Sequence, residues 1–80
     1  LGLFHLSAEA PTAEVLTTYG AVAPANTEGE TLAQTLRRHL PQPVQGDRVR
    51  LAGVELPVRS LSGGTITEVG LRLPKPEELD

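Results

Sequence analysis

Residues 46–73, GDRVRLAGVELPVRSLSGGTITEVGLRL, decide the fold of this chain. Apolar and polar residues alternate along most of this stretch, as they do in strands that bury one face of a sheet and expose the other. Ala52-Gly53 and Ser62-Gly63-Gly64 separate the alternating segments and suit tight hairpin turns. We therefore predict three antiparallel strands, over residues 48–51, 54–60 and 65–73.

The last of these strands changes its alternation part of the way along. Ile66 belongs to one phase of the period of two, whereas Val69, Leu71 and Leu73 belong to the other. One sheet face accepts both sets only if an extra residue is inserted, so we predict a β-bulge between Ile66 and Val69. Pro57 lacks a backbone donor, which predicts that its nitrogen faces a sheet edge or a bulge.

A further strand and two helices are predicted before residue 46. The strand is apolar and covers residues 1–6, the first helix covers residues 12–19 after Pro11, and Gly20 ends it. Residues 21–29 have little periodicity and are read as an ordered loop. Thr31 and Gln34 form a capping-box pattern at the start of the second helix, which Pro41 ends. Its apolar stripe consists of Leu32, Leu36 and Leu40.

The predicted fold class is therefore α+β. We expect a small antiparallel or mixed sheet of about four strands, with two helices packed on one face. Residues 1–73 form a single domain in this prediction, and residues 74–80 form a polar, proline-rich tail.

The composition of the 80 residues excludes several classes of function. The absence of cysteine removes disulfides, thiolate zinc sites and thiol nucleophiles, and favours a reducing, cytosolic setting. A net charge of −3 with only two aromatic residues argues against nucleic acid as a partner. No apolar run approaches the roughly 20 residues of a membrane span, so we expect no membrane insertion of this segment. Because residue 1 is leucine, we expect a piece of a longer protein.

The polar residues show no pattern that would support catalysis, a metal or a cofactor. His5 and His39 lie far apart in sequence without partners at ligand spacing, and we read them as a strand-edge and a helix-end histidine. Ser60 and Ser62 have no nucleophile-elbow context. The acids are scattered through loop and tail sequence, which predicts that they are solvated: Glu28, Glu30, Glu77, Glu78 and Asp80. We therefore predict a protein that is not an enzyme.

Three arginines form the candidate interaction face. Arg48, Arg50 and Arg59 alternate with the buried set and so project from one face of the sheet. Such a face suits an anion, a nucleotide or an acidic partner. The alternative is a solubilising surface with a cross-strand ion pair, for which Glu55 would lie near Arg50.

Three segments resemble the CorC/HlyC transporter-associated domain. They are TLAQTLRRHLP (31–41), GDRVRLAGVELPVRSL (46–61) and GGTITEVGLRL (63–73). The family pattern has a Thr-Leu helix start, a Gly-Asp turn, a strand pair built as V-x-L-x-G-x-E-L-x-V, and a turn followed by I-T-x-V. Residues 4–20, FHLSAEAPTAEVLTTYG, resemble the segment that precedes this domain in potassium/proton and sodium/proton antiporters.

The resemblance implies a C-terminal accessory domain on the cytoplasmic face of the bacterial inner membrane, in an NhaP-type cation/proton antiporter. Its fold would resemble an α+β sandwich related to one class of FAD-binding domain, but no flavin-contacting motif is present and no cofactor is expected. The partners implied are the membrane-embedded part of the transporter, other cytoplasmic domains and a second copy of the domain. The alternatives are a CorC-type magnesium/cobalt efflux protein and a nucleotide- or anion-sensing module.

Overall fold

A computed structural model describes residues 3–73 of the chain. The predictions made for Leu1, Gly2 and the tail 74–80 therefore lie outside the described residues. The elements, in order, are strand β1 (Leu3–Ser7), helix α1 (Thr12–Thr18), a 3-10 turn (Ala25–Thr27), helix α2 (Leu32–His39), and strands β2 (Arg48–Leu51), β3 (Val54–Ser62) and β4 (Thr65–Arg72).

The four strands form one antiparallel sheet in the order β1-β4-β3-β2. The inward residues of the strands share a single apolar cluster with the buried residues of both helices, so the helices lie on one face of the sheet. Leu16 and Leu36 from the helices and Leu56 and Leu71 from the central strands are fully buried. The α+β prediction is confirmed, and the sheet is antiparallel throughout.

Two bulges interrupt the pairing of β3 with β4. The predicted one is confirmed: between Glu68 and Ile66 the β4 strand has one residue more than β3 has opposite it. A second bulge, at Arg59 on β3, was not predicted, although Val58 and Leu61 show the same change of phase as Ile66 and Val69. Because each strand carries one extra residue, the register before the first bulge is restored after the second.

The nitrogen of Pro57 was predicted to face a sheet edge or a bulge. Pro57 lies in β3, which is a central strand, so the sheet-edge alternative is wrong. The amide of Val58 donates to Asp47 on the side of the sheet next to β2, which turns the nitrogen of Pro57 toward β4. On that side, Glu55 pairs with Arg72 of β4, and the next paired residues are Val58 and Val69. The missing donor therefore falls between these two pairs, one residue before Val58, after which the first register shift begins.

The start of α2 is joined to the connection that precedes α1. The predicted capping box is present, because Gln34 donates its amide to the Thr31 hydroxyl and the Gln34 side chain accepts from the Thr31 amide. The first two amides of the helix, at Leu32 and Ala33, donate to the carbonyls of Ala10 and Ala8 at 2.9 Å each. All the early amides of α2 are thereby used within the fold.

Within residues 3–73, no helix has the length and apolar character that crossing a membrane requires.

Candidate functional site

The sheet face opposite the helices is the first candidate surface, and we call it the outer face. Because side chains alternate along a strand, the residues between the buried ones project here. Within residues 3–73, it carries four of the six arginines and only two of the seven acids. These charged residues are Arg48, Arg50, Glu55, Arg59, Glu68 and Arg72. The outer face is thus basic on a chain whose net charge is −3.

The register aligns charges in a row across three strands. Arg50 on β2 stands opposite Glu55 on β3, which stands opposite Arg72 on β4. The expected proximity of Arg50 and Glu55 is therefore confirmed, but the ion pair forms with the diagonal neighbour: Nη1 of Arg48 lies 3.2 Å from Oε2 of Glu55. Arg50 and Arg72 make no ion pair within residues 3–73.

Arg59 completes the predicted set of three arginines, and it differs from the other two in its burial. Arg48 and Arg50 are exposed, whereas Arg59 is half-buried at its bulge. Its Nε is fully buried and has no hydrogen-bond partner among the described residues. The structure thus places Arg48, Arg50 and Arg59 on one face. Sequence reasoning missed Arg72, although its alternation with Leu71 and Leu73 signals the same orientation.

His5 joins the outer face from the edge strand β1. Its Nδ1 lies 3.9 Å from Oε2 of Glu68, whose other oxygen accepts from the Ser60 hydroxyl at 3.3 Å. His39 lies at the end of α2, with Nδ1 3.0 Å from the carbonyl oxygen of Thr35. Both positions match the predicted strand-edge and helix-end roles. No group of three His, Asp or Glu side chains with the proximity to hold a metal occurs in the described part of the chain.

A second cluster connects the two helices and centres on Glu30. Its carboxylate accepts from Nε and Nη2 of Arg38 at 2.8 and 2.9 Å, and from the hydroxyl of Thr35 at 2.8 Å. The Thr35 oxygen also lies 2.8 Å from that of Thr12 on α1, and both threonines are fully buried. Since Thr35 gives its only proton to the carboxylate, Thr12 is the donor to Thr35.

The prediction that Glu30 is a solvated loop acid is wrong, because it is the acceptor of this network. Hydrogen bonds from Arg38 first, and from Thr35 second, hold the pKa of the Glu30 carboxyl below its ordinary value of 4.5. The same contact with Glu30 raises the pKa of the Arg38 guanidinium. No sequence pattern predicts the cluster. Thr12 meets Thr35 only in the tertiary fold, and the contacts of Glu30 with Thr35 and Arg38 depend on side-chain geometry around α2.

These features define a class of protein: a two-layer α+β domain with a basic sheet face that neither helix covers, and with helices joined by a buried polar network. Comparison with models of protein families gave no match, and comparison with curated protein sequences gave none. Comparison with solved structures did give matches.

The matching structures are CorC_HlyC domains, and each aligns over nearly all of this chain. A CorC_HlyC domain from Haemophilus ducreyi has a TM-score of 0.76 at 15% identity, covering 91% of this chain and 97% of that one. The transporter-associated domain CorC_HlyC from a Xylella fastidiosa Temecula1 hemolysin has a TM-score of 0.75 at 25% identity, covering 90% and 85%. The same domain in complex with Mg++ and Mn++ gives 0.77 at 24%, covering 92% and 90%.

The chain therefore has the fold of the CorC_HlyC transporter-associated domains. The four strands, the two helices and their order are those that the sequence resemblance implied.

Proposed function

We propose that this chain is a non-catalytic cytoplasmic accessory domain that modulates cation/proton antiport by a bacterial membrane transporter. The observation that carries the proposal is the shared fold with three structures of CorC_HlyC domains, two of which are described as transporter-associated. The antiporter branch is favoured by residues 4–20, whose sequence resembles the segment that precedes the domain in such transporters. Residues 1–73 form the regulatory unit in this proposal.

The outer face is the surface by which the domain would dock on another cytoplasmic domain of the transporter or on a second copy of itself. Neither helix covers this face, and Arg50 and Arg72 make no ion pair within residues 3–73. Arginine is enriched in the energetically important parts of protein interfaces. An acidic surface on the partner would complement this face.

Regulation requires that the docked contact differs between two states of the transporter. A difference of about 1.4 kcal/mol between the two docked states changes their ratio about tenfold. Gain or loss of a single hydrogen bond to a charged group changes the free energy by a similar amount, about 1.5–3 kcal/mol. One arginine that contacts its acidic partner in only one state of the transporter is therefore sufficient to couple docking to that state.

The test uses the full-length transporter in everted membrane vesicles, with potassium/proton and sodium/proton exchange measured as a function of pH. Deletion of the domain is expected to displace the pH at which exchange is activated while exchange itself persists. The double variant Arg50→Gln/Arg72→Gln is expected to reproduce that displacement. Its matched control is Ala25→Glu/Gln42→Glu, which makes the same change in net charge at exposed positions outside the sheet and the two α-helices.

The outcome that would contradict the proposal is a flux-versus-pH profile that does not change when the domain is removed. Exchange of magnesium or cobalt instead of monovalent cations would favour a CorC-type efflux protein. A nucleotide that binds the outer face would favour the sensing alternative, and calorimetry of the 80-residue chain against a nucleotide panel measures it directly.

A further inference from the structure

A surface pocket of about 540 Å³ lies beside the Glu30–Arg38 pair. It is bounded by α2, by the loop that precedes it and by the start of β4. Its volume falls within the range of about 300–1,000 Å³ that is usual for small-molecule sites. The lining residues are Gly29, Glu30, Ala33, Gln34, Arg37, Arg38, Thr65 and Ile66.

The pocket has a small apolar floor. Ala33 is the shortest side chain that α2 contributes to the lining, so it leaves a notch between the longer ones. Ile66 closes the floor from the sheet and is itself part of the core, at 3% exposure. The apolar part has room for a compact hydrocarbon or aromatic group.

The charged groups of the pocket do not balance. Glu30 and Arg38 neutralise each other through their two hydrogen bonds, at 2.8 and 2.9 Å. Arg37 is exposed and makes no ion pair within the described part of the chain. The lining thus carries one net positive charge, which matches a ligand with one negative charge and not a polyphosphate.

Gln34 supplies a further polar contact. Its side-chain oxygen accepts from the Thr31 amide at 2.9 Å in the capping box, which orients the amide group and leaves its nitrogen available to donate. The early backbone amides of α2 are already bonded to Ala8, Ala10 and Thr31, so the anion would be held by side chains alone.

We infer that this pocket binds a small organic monocarboxylate, with its carboxylate against Arg37 and the Gln34 amide and its apolar body over Ala33 and Ile66. The site is independent of the proposed docking through the outer face. It adjoins the network that links the helices, because Arg38 and Glu30 line the pocket and Glu30 is bonded through Thr35 to Thr12. Occupancy of the pocket would therefore stabilise the junction of α1 and α2.

The experiment is an NMR titration of the ¹⁵N-labelled 80-residue chain with phenylacetate. The controls are phenethyl alcohol, which keeps the apolar body without the charge, and acetate, which keeps the charge without the body. A probe of this size is expected to bind with a Kd of about 1 mM. The amide signals that shift should be those around the pocket, at Gly29, Ala33, Gln34 and Thr65.

Two variants test the assignment of the pocket. Ala33→Trp fills the notch and should abolish the shifts, whereas Ala13→Trp, an equal enlargement at a partly buried position of α1 outside the pocket lining, should leave them unchanged. Arg37→Gln should weaken binding about fivefold to tenfold, as expected for a charged hydrogen bond at a partly exposed site. Its matched control is Arg50→Gln on the outer face, which should bind as the parent does.

The outcomes separate cleanly. Absence of shifts with up to about 20 mM phenylacetate, a concentration well above the expected Kd, would overturn the inference. So would equal binding by Ala33→Trp, or shifts confined to the outer face. Shifts of the same size with phenethyl alcohol would show an apolar depression without selection for anions, which also contradicts the proposed ligand class. None of these results depends on transport by a parent protein.

Discussion

The guanidinium of Arg38 donates two hydrogen bonds to the carboxylate of Glu30, with Nε 2.8 Å from Oε2 and Nη2 2.9 Å from Oε1. Glu30 stands one residue before the N-cap of α2 and Arg38 stands in its last turn, so the pair spans the length of the helix. The buried hydroxyls of Thr35 and Thr12 extend this contact to α1. The loop at residue 30 is thereby fixed to both helices.

Replacement of Glu30 by Gln is expected to remove a pH-dependent part of the stability. The folded-state pKa of Glu30 is lowered by Arg38, so its contribution is complete above the unfolded-state value near 4.5 and is lost as the pH falls through the lower folded-state pKa. Urea denaturation at several pH values from about 7 to about 3 measures this. The gap between the parent chain and Glu30→Gln should narrow in acid. The control is Glu28→Gln, an exposed acid without an ion pair in the described part of the chain. Parallel curves for the parent and Glu30→Gln would contradict the assignment.

The two buried threonines are expected to act as a unit. Thr35→Val leaves the Thr12 hydroxyl buried without an acceptor, and it should cost about 1–3 kcal/mol of unfolding free energy. Thr12→Val removes only the donor to Thr35 and should cost about 1 kcal/mol. The double variant should lose less than the sum of the two single variants, because no orphaned hydroxyl remains. A double-mutant cycle by urea denaturation gives the coupling free energy between Thr12 and Thr35. Strict additivity of the two losses would contradict a hydrogen bond between the two hydroxyls.

The β2–β3 turn contains strain that can be relieved. Ala52 has a φ of 53° and Gly53 a φ of 80°, so the turn needs two left-handed residues and only one is glycine. Ala52→Gly is expected to stabilise the domain by about 0.5–1 kcal/mol, since the left-handed cost to a side chain exceeds the extra entropy lost by glycine. The reciprocal change Gly53→Ala should destabilise it. Thermal unfolding of both variants measures the pair, and a lower Tm for Ala52→Gly would exclude this account.

Truncation of a central core side chain is expected to endanger the whole fold. Leu56 lies on β3, is fully buried and contacts the apolar cluster that both helices share. Leu56→Ala should cost about 2–5 kcal/mol, which is a large part of the stability of a domain of this size. Leu51→Ala, at a half-buried edge position, serves as the milder control. Urea denaturation followed by circular dichroism measures the free energy of unfolding of both variants. A smaller loss for Leu56→Ala than for Leu51→Ala would contradict the central position of Leu56 in the core.

The elements of the fold are readable from the sequence because their signals are local. The period of two over residues 48–58 predicts β2 and most of β3, and Thr31 with Gln34 predicts the start of α2. The bulge near Ile66 follows from the same alternation. The order of the strands in the sheet is not readable in this way, because no local sequence signal indicates that β4 pairs with β1. The sheet-edge alternative for Pro57 is wrong for this reason: the local preference of proline for an edge was overridden by the tertiary position of β3.

The candidate surfaces divide in the same way. Arg48, Arg50 and Arg59 are found by alternation alone, whereas the choice of Arg48 as the partner of Glu55 depends on the twist and diagonal reach of side chains in the finished sheet. The role of Glu30 depends on side-chain contacts with Arg38 and Thr35 of α2, and its link to Thr12 forms only when the two helices pack. Local pattern therefore predicts orientation, and tertiary packing selects the partner.

The pairing of Leu3 with Arg72 has a consequence for the order in which the domain is assembled. Within residues 3–73, β1 is the first of the four strands to be synthesised, and β4, with which it pairs, is the last. Until β4 is made, β1 lacks its partner in the described sheet. The hairpin of β2 and β3 forms from nearby residues, whereas closure of β1 onto β4 needs contacts between distant parts of the chain and is correspondingly slow. The sheet is therefore complete only after β4 has been made, whatever the earlier strands and helices have already formed.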